Sequence, residues 1–146
     1  MIDGVIITPL KQIHDERGAV YHMLRSDAPH YHGFGELYFS LVNPGVIKGW
    51  KRHQEMVLNL SVAKGKLRLV LVDQRPGSVT EGQVQEITLG EEPDDYKLVT
   101  VPTMVWSGSK CLSDTPAIMA NCASIPHDPV EVEHLMLDDP AISYQW

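Results

Sequence analysis

Little in this sequence points to covalent stapling, a membrane or a nucleic acid. Cysteine is scarce: Cys111 and Cys122 are the only two in 146 residues, and they have no CxxC spacing. That argues against a disulfide framework, suits a reducing cytoplasm, and leaves both thiols reading as small buried hydrophobes. No apolar run approaches the roughly 20 residues a membrane span needs. The N-terminus, MIDGVIITPLKQIHDERG, has no basic leader followed by an apolar stretch, so no secretory signal is expected. Basic excess is absent as well: 12 Lys and Arg stand against 19 Asp and Glu, a net charge of −7. A general nucleic-acid binder needs a broad basic face, so none is expected here. Long helical periodicity, a nucleophile elbow, a P-loop and a dinucleotide glycine fingerprint are all missing. Metal ligation has thin support. The strand at residue 53 offers only His53-x-Glu55, the pair His30 and His32 lies in loop-like PHYHGFGE, and a catalytic metal normally takes three protein ligands.

What is present is a succession of short β patterns. The length suits one domain, residues 1–146, and 43% hydrophobic with 21% charged residues is an ordinary globular composition. GVIITPL (4–10), GAVYHMLR (18–25) and ELYFSLV (36–42) read as strands, the last stopped by Asn43-Pro44-Gly45. MVLNLSVA alternates, with Leu58, Leu60 and Val62 on one face. KLRLVLVD (66–73) alternates again through Leu67, Leu69 and Leu71. VQEITLG (84–90), YKLVTVP (96–102) and AIMANCA (117–123) follow. Short strands at this spacing with Gly/Pro turns predict an all-β jelly roll, closed by a short C-terminal helix or extended arm over residues 129–137.

One strand is unusual. GVIKGWKRHQ (45–54) leads into the apolar MVLNL, yet holds Lys48, Lys51, Arg52 and His53 around Trp50. Strand alternation puts Lys51 with His53 and Trp50 with Arg52, unless a bulge at Gly49 changes the phase. Cations on an edge strand discourage edge pairing. They also neutralise a phosphate, while Lys or His tuned near neutral pH moves protons. DERG (15–18) reads as a polar turn whose Arg17 could reach an anion. Asp138 and Asp139 precede Pro140 and read as an exposed turn, or as carboxylates orienting a basic group.

Taken in order, DERG, ELYFSLV, GVIKGW, KGKLRLVLVDQRPGS and LDDPAISYQW resemble the dTDP-4-dehydrorhamnose 3,5-epimerase family of cupin-type jelly rolls. The resemblance implies a homodimer and a nucleotide-linked 4-keto-6-deoxy sugar as substrate. It implies a reaction without cofactor, in which a base removes a proton beside the ketone and an acid returns one on the other face. By position, Arg17 and Lys48 resemble the family's phosphate-facing cations, and Asp139 the carboxylate that orients its histidine.

The chain departs from the family where the chemistry lies. The family's base sits in G-L-H-[YF]-Q, and here the stretch is Gly49-Trp50-Lys51-Arg52-His53-Gln54. Counting from either end leaves Lys51 or His53 as base. The lysine of the following strand falls about Leu58. The segment that holds the acid tyrosine is CASIPHDP, with His127 in its place. G-F-A-H-G-F becomes MVWSGS. Lys51, His53, Asp139 and His127 are therefore the catalytic candidates, with Arg17, Lys48, Trp50, Arg52, Asn59 and Trp106 as substrate contacts. The expected activity is a cytoplasmic epimerase or isomerase. A pyranose/furanose ring mutase, a sugar-nucleotide-binding cupin without activity and a structural subunit are the alternatives.

Overall fold

The computed structural model describes residues 1–146 and contains twelve strands and no helix. They are β1 (Ile6–Pro9), β2 (Gln12–Asp15), β3 (Gly18–Tyr21), β4 (Glu36–Val42), β5 (Ile47–His53) and β6 (Leu58–Lys64). After them come β7 (Lys66–Asp73), β8 (Val84–Gly90), β9 (Lys97–Val101), β10 (Val105–Cys111), β11 (Ala117–Ala123) and β12 (Val132–His134). Two five-stranded antiparallel sheets face each other, in the orders β1-β9-β6-β11-β4 and β12-β5-β10-β7-β8. β2 and β3 form a separate hairpin that joins neither sheet. This is the jelly-roll architecture that the strand spacing predicts.

Alternation decides what enters the core. Leu58, Leu60 and Val62 of β6 meet Leu67, Leu69 and Leu71 of β7 between the sheets, with Val99, Val101 and Leu89 beside them. These are the faces read from the sequence. A buried polar turn locks the end of β7. The Asp73 carboxylate, fully buried, accepts from Arg75 Nε and Nη2, Ser78 Oγ and Thr80 Oγ1. The Arg75 guanidinium holds that carboxyl far below the usual carboxylate range, although burial opposes it.

The C-terminal residues form an arm, and the helix alternative is not realised. Val132, Glu133 and His134 pair with His53, Arg52 and Lys51 of β5 as an added edge strand. Pro129 and Pro140 bracket the segment and interrupt helical hydrogen bonding. The arm then folds over the outer face of the second sheet. There Trp50, Val70, Val72, Trp106 and Ile142 form a second apolar cluster, joined by Leu135, Tyr144 and Trp146. Trp146 can lie flat on β10 because residue 108 is glycine: a Cβ there would stand 2.7 Å from Trp146 Cζ2 and 3.2 Å from Trp50 Cε3. Trp50 is fully buried in this cluster. Trp50→Ala should therefore lower the unfolding free energy by about 3–5 kcal/mol, the range for large-to-small core changes, as read from urea denaturation.

Candidate functional site

The site is built on an irregularity in β5. Lys51 sits opposite Ser107 of β10, and Lys48 sits opposite Ser109. Three steps along β5 therefore match two along β10, so β5 carries one extra residue. Gly49 and Trp50 share the bulge. Trp50 joins the outer cluster, and a Cβ on Gly49 would meet Leu137 of the arm at 2.4 Å. The consequence is that Lys48 and Lys51 both turn toward the space between the sheets, where simple alternation would have separated them.

Both lysines line a cavity at one end of the barrel, with Tyr38 and Ser40 of β4, Ser107 and Ser109 of β10, and Asn121 of β11. Its free volume is about 50 Å³. Leu58, Leu60, Leu69 and Met119 form its floor. Lys48 Nζ donates to Ser40 Oγ across the gap between the sheets at 2.8 Å. Asn121 Nδ2 donates to Tyr38 Oη at 2.9 Å, leaving the phenolic hydrogen uncommitted. Burial pushes the Lys51 ammonium below its ordinary pKa, and the charge of Lys48 pushes in the same direction.

His53 follows Lys51 on the inward face and is 5% exposed. Its Nδ1 lies 2.5 Å from Oε1 of Glu131, which is equally buried. Glu131 Oε2 also accepts from the backbone N–H groups of Glu55 and Met56. Burial lowers the pKa of His53 more than the carboxylate raises it, so the imidazole is held neutral. Burial alone would raise the Glu131 carboxyl; the bonds from His53 and the two amides outweigh it and keep it ionised. The pair is thus a carboxylate that accepts from Nδ1–H, leaving Nε2 as a bare acceptor with no protein partner.

Other candidates lie elsewhere. Trp50 and Trp106 face the outer cluster, and Arg52 lies over the Trp106 ring at 4.6 Å while pairing with Glu133 at 2.6 Å. None of the three lines the cavity, because the bulge assigns them to the far side of the sheet. Asn59 is fully buried on the outer face of β6, with its amide occupied by Thr100 Oγ1 and the Cys122 carbonyl. Arg17 stands at the tip of the β2–β3 hairpin, paired with Asp15 and 84% exposed, and does not line the cavity. His127 is exposed beyond β11, close enough to His53 for its charge to be felt there. Asp139 caps a turn by accepting from the Ala141 amide, and Glu131 takes the position beside the histidine that the resemblance gives to Asp139.

Sequence reasoning missed Tyr38, Ser40, Asn121 and Glu131. Tyr38 and Ser40 do share one face of ELYFSLV, a signal that was available. Glu131 had none, since alternation in VEVEH puts Glu131 and Glu133 on one face, whereas Glu131 precedes β12 and turns to His53 while Glu133 pairs with Arg52.

The linkage of the buried pair has a defined sign. His53 is neutral in the fold and titrates below its ordinary 6.5, so the stability it contributes is present above pH 6.5 and is lost as pH falls below it. Glu131, also lowered, adds a further loss below its ordinary 4.5. Imidazole NMR should find His53 titrating below its ordinary 6.5, with its proton on Nδ1 when neutral. In Glu131→Gln the titration should move lower still, because the raising carboxylate is gone. A His53 that titrates above 6.5 would contradict this.

The sequence model of the dTDP-4-dehydrorhamnose 3,5-epimerases matches residues 1–146. A probable low-salt glycan biosynthesis epimerase of Haloferax volcanii is 30% identical over 122 residues, spanning 82% of this chain and 77% of that protein. The crystal structure of a dTDP sugar isomerase from Desulfovibrio desulfuricans aligns with a TM-score of 0.96 at 43% identity, over 99% of this chain and 92% of that one. That of a dTDP-6-deoxy-D-glucose-3,5-epimerase from Legionella pneumophila, in complex with dTDP-4-keto-L-rhamnose, aligns at 0.85 and 25% identity over 100% of this chain and 80% of that one. Matched from its first residue to its last, the chain belongs to the dTDP-4-dehydrorhamnose 3,5-epimerase family.

Proposed function

We propose that this protein is a cofactor-independent epimerase or isomerase of a nucleotide-linked 4-keto-6-deoxy sugar, in which Lys51 removes the proton beside the ketone. The observation that carries this is the desolvated Lys51 amine held next to Lys48 inside the cavity. A lysine with a lowered pKa is a competent base near neutral pH. Lys48, braced by Ser40, supplies the positive charge that stabilises an enolate oxygen or an adjoining phosphate. Tyr38 projects into the same cavity from the facing sheet with its hydroxyl hydrogen free, so it can return a proton from the side opposite Lys51. Removal by one sheet and return by the other inverts the carbon. His53, kept neutral by burial, adds no third positive charge beside the two lysines.

A cavity of about 50 Å³ admits the reacting edge of a sugar ring and not a nucleotide. The nucleotide therefore lies outside, across the mouth between β4 and β5. In this reading the protein is a homodimer whose second copy covers that rim. β4 is a sheet edge, and its outward residues Leu37, Phe39 and Leu41 are 50%, 66% and 55% exposed. An apolar row on an open edge strand invites pairing. The unattached hairpin also exposes Ile13 and Val20, and it carries Arg17, which in this reading joins a pyrophosphate held by Lys48 of the other copy. No helix is long and apolar enough to cross a membrane. Both thiols are free, which suits a reducing compartment such as the cytoplasm.

Proton NMR in heavy water with nucleotide-linked 4-keto-6-deoxyhexoses tests the chemistry. Wild type should incorporate deuterium next to the ketone as the product forms. Lys51→Gln should lose about 10²–10⁴-fold in exchange rate, the usual worth of a general base, with the fold intact by circular dichroism. Tyr38→Phe should keep exchange at that carbon and lose inversion. New anomeric signals without exchange would instead identify a ring mutase. Undiminished exchange in Lys51→Gln would remove Lys51 from the mechanism.

A further inference from the structure

The outer face of the first sheet holds a second, larger cavity that the proposed reaction does not use. Its free volume is about 350 Å³, within the usual range of about 300–1,000 Å³ for small-molecule sites. It lies between the β1 end and the segment from His22 to His30. Thr8 on β1 pairs with Leu98 of β9, whose neighbours Val99 and Val101 fill the core. Thr8 therefore points away from the core, and the thickness of the sheet separates this cavity from the one holding Lys51. The two share no lining residue.

Its composition is unlike the rest of the chain. Lys11, His22, Arg25 and His30 line it, together with Thr8, and no carboxylate does. In a protein with 19 acids and a net charge of −7, a concavity lined by Lys11, Arg25 and two imidazoles without an acid has a local positive bias. The nearest acid that answers any of them is Asp27, which pairs with Arg25 at 2.6 Å with both side chains about two-thirds exposed. A pair so open to water adds little to stability and yields readily to a better anion. His30 is 9% exposed, and its ring nitrogens are left open to the cavity with no protein group hydrogen-bonded to them. The polypeptide also shapes the wall, since the Ala28 amide bonds to the Arg25 carbonyl and the Tyr31 amide to the Ala28 carbonyl, turning the chain back on itself between Arg25 and His30. The Tyr96 hydroxyl pins this segment to the sheet through the His22 carbonyl at 2.8 Å.

We infer that this cavity is a second anion-binding site, which takes the phosphate or pyrophosphate group of a small phosphorylated molecule. Lys11 and Arg25 neutralise the charge, Thr8 donates from the floor, and His30 with His22 completes the donor set. Pro9, Leu10 and Met23 provide apolar walls for the body of the ligand. The inference does not depend on the assignment of Lys51, because the two cavities lie on opposite faces of one sheet.

Imidazole NMR of the isotope-labelled full-length protein, titrated with inorganic pyrophosphate, tests it. The His22 and His30 signals should move along one saturating curve. Lys11→Gln with Arg25→Gln, both at the surface, should weaken that curve at least tenfold, whereas Lys48→Gln should leave it unchanged. His30 signals that stay fixed, a curve of equal affinity in the double variant, or loss of the curve in Lys48→Gln would each overturn the inference.

Discussion

The extra residue in β5 is the constraint on which the rest depends. A regular strand would have sent Lys48 to the face opposite Lys51. With Gly49 and Trp50 sharing one position against Gly108, both lysines enter the barrel and the indole leaves it. The bulge works only with its surroundings. Glycine at 108 lets Trp146 and Trp50 close over the strand, and the arm that brings Trp146 also brings Glu131 to His53. Packing on the outer face thus sets the chemistry available on the inner one.

Electrostatics on the two faces are resolved differently. Outside, Arg52 is neutralised by Glu133 and stacked on Trp106, a structural use of a cation. Inside, two lysines share one small cavity and no carboxylate lines it. Burial and mutual repulsion both favour loss of a proton from Lys51. Glu131 is spent on His53 and two backbone amides and does not reach the lysines. That arrangement keeps one amine basic without quenching its neighbour.

Much of the fold was legible. The bounds of β4, β7, β8 and β11 match the segments read from alternation and turn residues, because each is a run with clear period-two burial or a strong breaker at its end. β10 was not legible: Ser107-Gly108-Ser109 carries no apolar alternation, and its glycine makes sense only against Trp146. The arm was ambiguous because VEVEH is short and its partner lies 80 residues away. In the site, Lys48 and Lys51 were visible as charges in an apolar context, but their shared face rests on pairing with β10. Trp50, Arg52 and Trp106 looked like ligand contacts because aromatic and basic residues cluster in such sites; they build the outer cluster instead. In ELYFSLV the usual rule runs backwards. Leu37, Phe39 and Leu41 face outward while Tyr38 and Ser40 face in, because the inner side lines a polar cavity.

Lys51 is a desolvated amine whose pKa is lowered by burial and by Lys48. The direct measurement is NMR titration of isotope-labelled lysine side chains in the free protein. Lys51 should titrate below its ordinary 10.5, and Lys48→Gln should move it upward by removing the like charge. A Lys51 that titrates at 10.5 and does not respond to Lys48→Gln would contradict the account.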